Sequence, residues 1–400
     1  LHMRKSYRYS SHTTAGDCGG ILMLNNSSVS RKICGIHTAG VCAQGYATSI
    51  TQRDLETALR ATTEVQCDFE LHSTTVIVPR AQLQGPIPEG EFVCIGVSSV
   101  PAGSPSKTDI RPSPIHGLVS EPIHAPSALK PVMVDGQLVD PLLKGLSKCG
   151  GTTVALDPEI LQACVDNYKP KIMRNTDALL RRVLTYEEAI MGIDHAFVGP
   201  INRRSSGGFG WSDKTNGKIG KTKWLGDGDY ILDNVELKSA VDERIAKAKN
   251  GIRAPHLWVD TLKVERRPIE KVRAGKTRVF SVGQMDYILA SRMYFLTFNA
   301  HCMENRIENE IGVGINPYSY DWTRLAHHLM KKGNKVFAGD FTNYDGTLNS
   351  AILWKILDII NDWYDDGPEN AMIRNVLFEE IVSSLHITGK TVYQWTHSQP

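Results

Sequence analysis

The sequence predicts an α+β protein in two pieces, a small β-rich one and a larger one in which long helices alternate with strands. Three observations carry this. Short runs of β-formers fill residues 1–80, residues 81–131 turn rich in Pro, Gly and Ser, and segments with apolar residues at helical spacing follow. The 400 residues leave room for two or three domains, and 41% hydrophobic with 22% charged residues excludes a disordered chain. Eight cysteines, at positions 18, 34, 42, 67, 94, 149, 164 and 302, show neither C-x-x-C spacing nor a Cys/His zinc set. Thiols scattered in this way point to a reducing compartment. No apolar run reaches about 18 residues, so no membrane span is expected. No secretory signal is visible. The chain opens on Leu1 and stops at Pro400 in mid-pattern, as a piece of something longer would.

In the first piece GGILML (19–24), KICGIHTAG (32–40), YATSI (46–50) and TTVIV (74–78) read as strands, and Thr51 to Arg60 as a helix. AQLQGPIPEG, VPAGSPSKT and RPSPIHG then read as linker or irregular surface chain. Helical patterns follow at 157–168, at 185–192 with Thr185 and Glu188 forming a capping box, and at 234–250, 284–305, 318–332 and 368–385. KVFAG (335–339) reads as a short buried strand, NSAILWKILDIINDWY (349–364) as a helix capped by Asn349, and HITGKTVYQW (386–395) as a hairpin with a Gly-Lys turn. Asp340 and Asp345, in DFTNYDG, therefore fall on a strand-to-helix turn. No internal repeat is present.

The net charge of +2 hides an asymmetry. Residues 201–280 hold 18 Lys and Arg against 10 Asp and Glu, and residues 301–400 hold 8 against 13. A basic stretch ahead of an acidic one suits an anion-binding surface facing a metal-binding one, although solvated helix faces give the same tally. Within the basic stretch, EKVRAGKTRVF places Lys271, Arg273, Lys276 and Arg278 in alternation around Gly275. In an extended chain alternate residues share a face, which would align these cations for a polyphosphate. Upstream, NRRSSGGFGW is a small-residue loop beside Arg203 and Arg204, which lets a nucleic-acid backbone come close.

In this order the segments resemble the RNA-dependent RNA polymerases of picorna-like viruses over most of residues 85–400. PSKTDIRPSPIHG is similar to the N-terminal fingers segment, SSGGFG to the template-guiding loop and KVRAGKTR to the basic motif over the incoming triphosphate. DFTNYDG resembles the palm motif with the first metal-binding aspartate, and HSQP the lead-in to a Ser-Gly motif that helps select the sugar. The resemblance implies right-hand polymerase fingers (101–335) and the start of a palm (336–400). It gives Asp340 the role of catalytic ligand to Mg2+ in a two-metal mechanism. Asp345 would accept from the 2′-OH of the incoming nucleotide and so help tell ribose from deoxyribose. Lys276, Arg278 and Arg273 would hold the triphosphate, and Ser205, Ser206 and Gly207 the template. Tyr344 reads as packing. The partners implied are RNA template and primer, nucleoside triphosphates and a viral polyprotein substrate.

TTAGDCGG (13–20) and GIHTAG (35–40) form a second constellation. A Gly-x-Cys-Gly turn exposes a thiol and aims backbone N–H groups at a developing oxyanion. The pattern resembles the second half of the chymotrypsin-like cysteine protease that precedes the polymerase in picorna-like polyproteins. That implies a partial β-barrel over residues 1–80. Cys18 matches the nucleophile, and the amides of Gly16 and Cys18 the oxyanion hole. Thr13 and His37 match the pocket that reads glutamine. Asp17 stands where the family often has Gln. The general base of such a protease belongs to the other half of the barrel, so His12 is rejected in spite of its nearness. A processing junction is expected within 81–100, at Gln84–Gly85, with Gln82 as runner-up.

Several signals are discounted. WYDDGP (363–368) imitates a metal-binding Asp-Asp pair but ends an amphipathic helix, so Asp365 and Asp366 read as a solvated helix end. IGKT and AGKT lack the upstream glycine of a P-loop. The resemblance looks closest to insect-infecting dicistroviruses. It implies action in host cytoplasm at membrane-associated replication sites, and a fragment inactive by itself. The alternatives are a glutamine-specific protease as the main activity, a non-catalytic RNA-binding module, and a reverse transcriptase, which Asp345 disfavours.

Overall fold

The computed structural model describes residues 6–10, 21–24, 33–41, 44–51, 53, 92–150 and 156–395. The chain divides into two compact units, Leu1–Gln66 and Cys67–Pro400. In the first, strands β1 (Ser6–Ser10), β2 (Ile21–Met23), β3 (Ile33–Val41) and β4 (Gln44–Ser49) form an antiparallel sheet in the order β1-β4-β3-β2. Alternation along β3 buries Gly35 and His37 on one face. Gly45 on β4 is small because the Tyr9 ring lies over it; a Cβ there would sit 2.4 Å from the ring. The expected strand at 74–78 and most of the helix expected over Thr51 to Arg60 lie outside the described residues.

The second unit contains β5 (Phe92–Ala102), β6 (His124–Pro126), β7 (Val132–Val134), β8 (Gln137–Val139), β9 (Trp258–Leu262), β10 (Arg266–Pro268), β11 (Val279–Val282) and β12 (His386–Trp395). Its main sheet runs β11-β9-β12-β5. Two expectations change here. The Pro/Gly-rich stretch contains the eleven-residue strand β5. Residues 386–395 are one strand rather than a hairpin: β12 runs antiparallel to β5 and parallel to β9. Gly389, at φ 58°, supplies a register irregularity instead of a reversal, because β5 and β9 satisfy the backbone groups that a hairpin would pair within itself. The β7–β8 hairpin turns on Asp135-Gly136, both at positive φ, as a two-residue turn demands.

The helices form where their caps are. Asp157 and Asn234 accept backbone N–H groups at the starts of Pro158–Ile172 and Val235–Lys249. Thr185 and Glu188 make the expected capping box at the start of Tyr186–Met191. Met285–Glu304 buries residues along its whole length, Asp286 and His301 among them, which suits a central helix. Its Met285 and Leu289 pack with Trp211, Trp224 and Leu237, and its Phe298 packs with Leu357 and Trp363 of the helix Ser350–Tyr364. Helix Pro368–Val382 packs Ile373 and Leu377 against Tyr287 and Tyr294. Asp321–Met330 lies at the surface, with Trp322 57% exposed.

Candidate functional site

The run before Asp340 is not a strand. Residues 335–340 are irregular, and Val336 and Phe337 are 70% and 93% exposed. A strand needs a neighbour for its N–H and C=O groups, and no described strand flanks this run. Asp340 is exposed in this segment. Asn343, at φ 54°, then swings the chain into a 3-10 turn, Tyr344–Gly346. Asp345 on that turn is ion-paired with Lys148. Gly346 permits this approach: a Cβ there would lie 2.6 Å from the Lys148 carbonyl. Asn349 caps the following helix, its Oδ1 accepting from the Ala351 N–H at 2.8 Å. Tyr344 is 58% exposed, and its ring lies tilted beside that of Phe341, the centroids 5.6 Å apart.

The basic segment also departs from the extended reading. Ile269–Arg273 is a short helix, and Gly275, at φ 64°, turns the chain back toward β11. Helix propensity around Lys271 and closure on the β7–β8 hairpin override the alternation; a Cβ on Gly275 would meet Val132 at 3.0 Å. Lys271, Arg273, Lys276 and Arg278 nevertheless all remain exposed around this turn. Arg278 makes a bidentate pair with Glu265, 2.6 Å at Nε, which raises the pKa of the guanidinium and lowers that of the carboxyl. Among the described residues Lys271, Arg273 and Lys276 have no carboxylate partner.

The Ser-Gly loop is pinned from several sides. The Met285 N–H donates to the Gly207 carbonyl at 2.8 Å, Gln284 Nε2 to the Phe209 carbonyl at 3.2 Å, and Trp211 Nε1 to the buried Asp286 at 2.8 Å. Asp286 also takes Arg244, so the start of the central helix carries a buried ion pair that fixes the end of the loop. Gly208 is obligatory: φ is +82° and a Cβ would lie 2.3 Å from the Gly283 carbonyl. Arg203 stacks on Tyr230 at 4.1 Å and donates to carbonyls of Leu225, Gly226, Gly228 and Asp229. Ser206 and Ser212 share a hydrogen bond of 2.8 Å.

Two cavities meet along β11. One, of about 630 Å³, is lined by the loop residues Ser205, Ser206 and Gly208 together with Lys221 and Arg292. The other, of about 360 Å³, is lined by Asp345, Lys148, Cys149, Ser384 and His386. Phe280 and Ser281 of β11 belong to both walls. The strand leaving the basic loop thus divides the Ser-Gly loop cavity from the Asp345 cavity. Asp340 lines neither. Cys149 is no nucleophile, because burial pushes its thiol up to about 12.

Under the second cavity lies a polar knot that sequence reasoning missed. Asp260, with no exposed side-chain surface, accepts from Tyr393 Oη at 2.5 Å, His386 Nδ1 and Thr388 Oγ1 at 2.9 Å and Ser281 Oγ at 3.0 Å. His386 Nε2 meets Ser384 Oγ at 2.9 Å. The only sequence signal was a charged residue inside the apolar run LWVDTL. Lys148 and Arg292, single cations outside any motif, were also missed, and Lys221 was passed over with the discounted IGKT run.

In the first unit, His37 is buried and its Nδ1 meets the Tyr9 hydroxyl at 2.5 Å, ring edge to face. Thr13, Gly16, Cys18, the junction at Gln84–Gly85 and the HSQP segment lie outside the described residues. Asp366, read as solvated, holds the fully buried Arg374, while exposed Asp365 caps its helix at φ 46° and pairs with Arg181. Both are engaged in ion pairs, which is inconsistent with a free metal-binding pair. Among the described residues no group of three or more His, Cys, Asp or Glu side chains is placed to hold a metal ion. A lone Asp340 and an Asp345 tied to Lys148 do not make a complete metal centre.

A helical body around one central helix, a basic turn feeding a strand between two cavities and a pinned Ser-Gly loop together define a nucleic-acid polymerase fold. The chain belongs to the viral RNA-dependent RNA polymerase family, whose family model matches residues 118–400. The tungro spherical virus-type peptidase model matches residues 2–64. The chain is 45% identical to the replicase polyprotein of acute bee paralysis virus over 100% of its own length and 22% of that protein's. It is 41% identical to the replicase polyprotein of cricket paralysis virus, over 99% of the chain and 24% of the relative. It thus spans under a quarter of the length of these curated relatives. A solved Sicinivirus RNA-dependent RNA polymerase shares the fold, with a TM-score of 0.63 and 21% identity over 78% of this chain and 62% of that one. The picorna-like resemblance and the polymerase fold read from the sequence are both borne out. Polymerases of this family use divalent metal ions.

Proposed function

We propose that this chain is the fingers and the start of the palm of a polymerase that copies RNA from an RNA template. It would do so within a replicase polyprotein that also carries a glutamine-specific cysteine protease. The observation that carries the reading is β11. It leaves a turn of four exposed cations and separates the cavity of the Ser-Gly loop from the cavity of Asp345. A template strand and an incoming nucleotide need to be presented side by side in this way. In this reading Ser205, Ser206 and Gly207 guide the template, and Arg273, Lys276 and Arg278 hold the triphosphate. Asp345, held on its turn by Lys148, reads the 2′-OH. Asp340 is one ligand of Mg2+, the other ligands lying outside the described residues. Cys18, with the amides of Gly16 and Cys18 and the pocket residues Thr13 and His37, belongs to the protease. The reading includes action in the host cytoplasm at membrane-associated replication sites, which fractionation of infected cells tests. No described helix is long and apolar enough to cross a membrane.

The test is primer extension by a protein carrying this chain and the residues that follow it in its reading frame. Nucleotide addition that needs Mg2+ and disappears in Asp340→Asn is expected. Salt-sensitive RNA binding without any addition would replace the polymerase with an RNA-binding module.

A further inference from the structure

The sequence contains two Asn-Gly pairs, Asn216–Gly217 and Asn250–Gly251. In such a pair the glycine nitrogen lies next to the asparagine side-chain carbonyl, and no Cβ hinders its attack on that carbon. The fold treats the two pairs differently. Asn216, at φ 52°, and Gly217, at φ 81°, form a two-residue turn closed by the Lys218 N–H on the Thr215 carbonyl at 3.1 Å. Both are exposed, and a Cβ on Gly217 would meet nothing within 4 Å. Among the described residues neither the Asn216 side-chain amide nor the Gly217 N–H has a hydrogen-bond partner. Asn250 ends the helix Val235–Lys249, and its Nδ2 donates to the Ala246 carbonyl at 2.8 Å. The N–H of buried Gly251 donates to the Ala248 carbonyl at 3.0 Å, and the Ile252 N–H to the Lys247 carbonyl at 2.9 Å. There the electrophile and the nucleophile are both tied to the helix.

We infer that Asn216 is a site of spontaneous deamidation and that the helix cap protects Asn250 from the same reaction. Ring closure forms a bond from the Gly217 nitrogen to Asn216 Cγ and breaks the bond from Cγ to Nδ2. The amide nitrogen takes up the proton that the Gly217 nitrogen gives up, and leaves as ammonia. Water, the only co-reactant, then opens the cyclic imide at either carbonyl and leaves aspartate or isoaspartate at position 216. The surroundings suit the product. Lys218, two residues on, is exposed and has no carboxylate partner among the described residues, so the new carboxylate gains a counter-ion. Isoaspartate also adds a carbon to the main chain inside a two-residue turn, which the Lys218 N–H to Thr215 carbonyl bond cannot span unchanged. The turn therefore records the age of the chain as a gain of negative charge and a local change of backbone.

The experiment is peptide mapping by mass spectrometry of the full chain after ageing at physiological temperature in mildly alkaline, heavy-oxygen water. The heavy oxygen marks conversion during ageing and separates it from conversion during digestion. Peptides spanning Asn216 should accumulate both aspartate and isoaspartate, which chromatography resolves. Peptides spanning Asn250 should convert at least about tenfold more slowly, because the hydrogen bonds on both reacting groups have to break first. In denaturing urea the two rates should draw together, since the protection of Asn250 belongs to the fold. Asn216→Gln, whose longer side chain closes a less favourable ring, should stay intact over the same interval. Conversion at Asn250 that matches or outpaces Asn216 in the folded chain would overturn the inference. So would an Asn216 that stays intact while the unfolded chain converts, or a gap just as wide in urea, which would belong to the local sequence. Aspartate without isoaspartate at position 216 would also overturn it, since direct hydrolysis passes through no imide.

Discussion

Replacing Asp260 by Asn keeps the shape of the side chain and removes its charge. The carboxylate accepts from four side chains, Tyr393, His386, Thr388 and Ser281. An amide offers one oxygen with two lone pairs, so at most two of these donors remain satisfied, and its own NH2 faces the others. Leaving a buried donor unpaired costs about 1–3 kcal/mol. Two orphans therefore cost about 2–6 kcal/mol, and the central expectation is about 4 kcal/mol. Tyr393→Phe removes a single bond to a charged acceptor and should cost about 1.5–3 kcal/mol. The assay is urea unfolding followed by tryptophan fluorescence, which gives the free-energy difference when the slope is unchanged. In the double variant Phe removes one of the orphans, so the two costs should fall short of additivity by at least about 0.5 kcal/mol. An Asp260→Asn cost below about 1 kcal/mol, or strict additivity with Tyr393→Phe, would refute the knot as a coupled unit.

Gly208→Ala should break the Ser-Gly loop. The positive φ alone costs about 1–3 kcal/mol in a non-glycine residue, and the new Cβ meets the Gly283 carbonyl at 2.3 Å. A drop in melting temperature and weaker RNA binding check it, and a neutral result would contradict the loop geometry. Thr185→Ala should cost about 0.5–2 kcal/mol through loss of the capping box, measured by the same urea titration. Arg374→Met strands Asp366 beside a buried site and should cost about 3–5 kcal/mol; replacing both residues by apolar ones should recover most of it.

What was legible in the sequence was local. The capping box at Thr185 and the cap at Asn349 join residues three and two apart, so the chain itself displays both partners. Long amphipathic or wholly apolar segments announced the helices for the same reason. The segments that carry the chemistry could be named because each is contiguous, yet their shapes could not be read from them. The basic run alternates as a strand would and folds as a helix and turn, because Gly275 has to close on Val132 and Val139. The apolar run before Asp340 has strand composition and no neighbour to make it a strand. The features that needed coordinates join distant residues. Lys148 meets Asp345 across 197 positions, and His386 meets Asp260 across 126. A lone charge in an apolar run shows that a partner must exist without showing which.

In the main sheet β5 stands last in the order β11-β9-β12-β5, so its sheet neighbour is β12. Cys94 on β5 reaches the Val392 carbonyl 298 residues further on. A ribosome adding about 5–20 residues per second therefore leaves β5 without its neighbour for about 15–60 s. Through that interval eleven residues of extended chain present unpaired backbone, the condition under which nascent proteins aggregate or recruit chaperones. Synthesis order makes β12 the closing strand, so the sheet that carries Asp260 gains its stability only as the ribosome passes residue 395. The rate of elongation over the roughly 300 codons between the two strands sets how long the nascent chain spends in that vulnerable state.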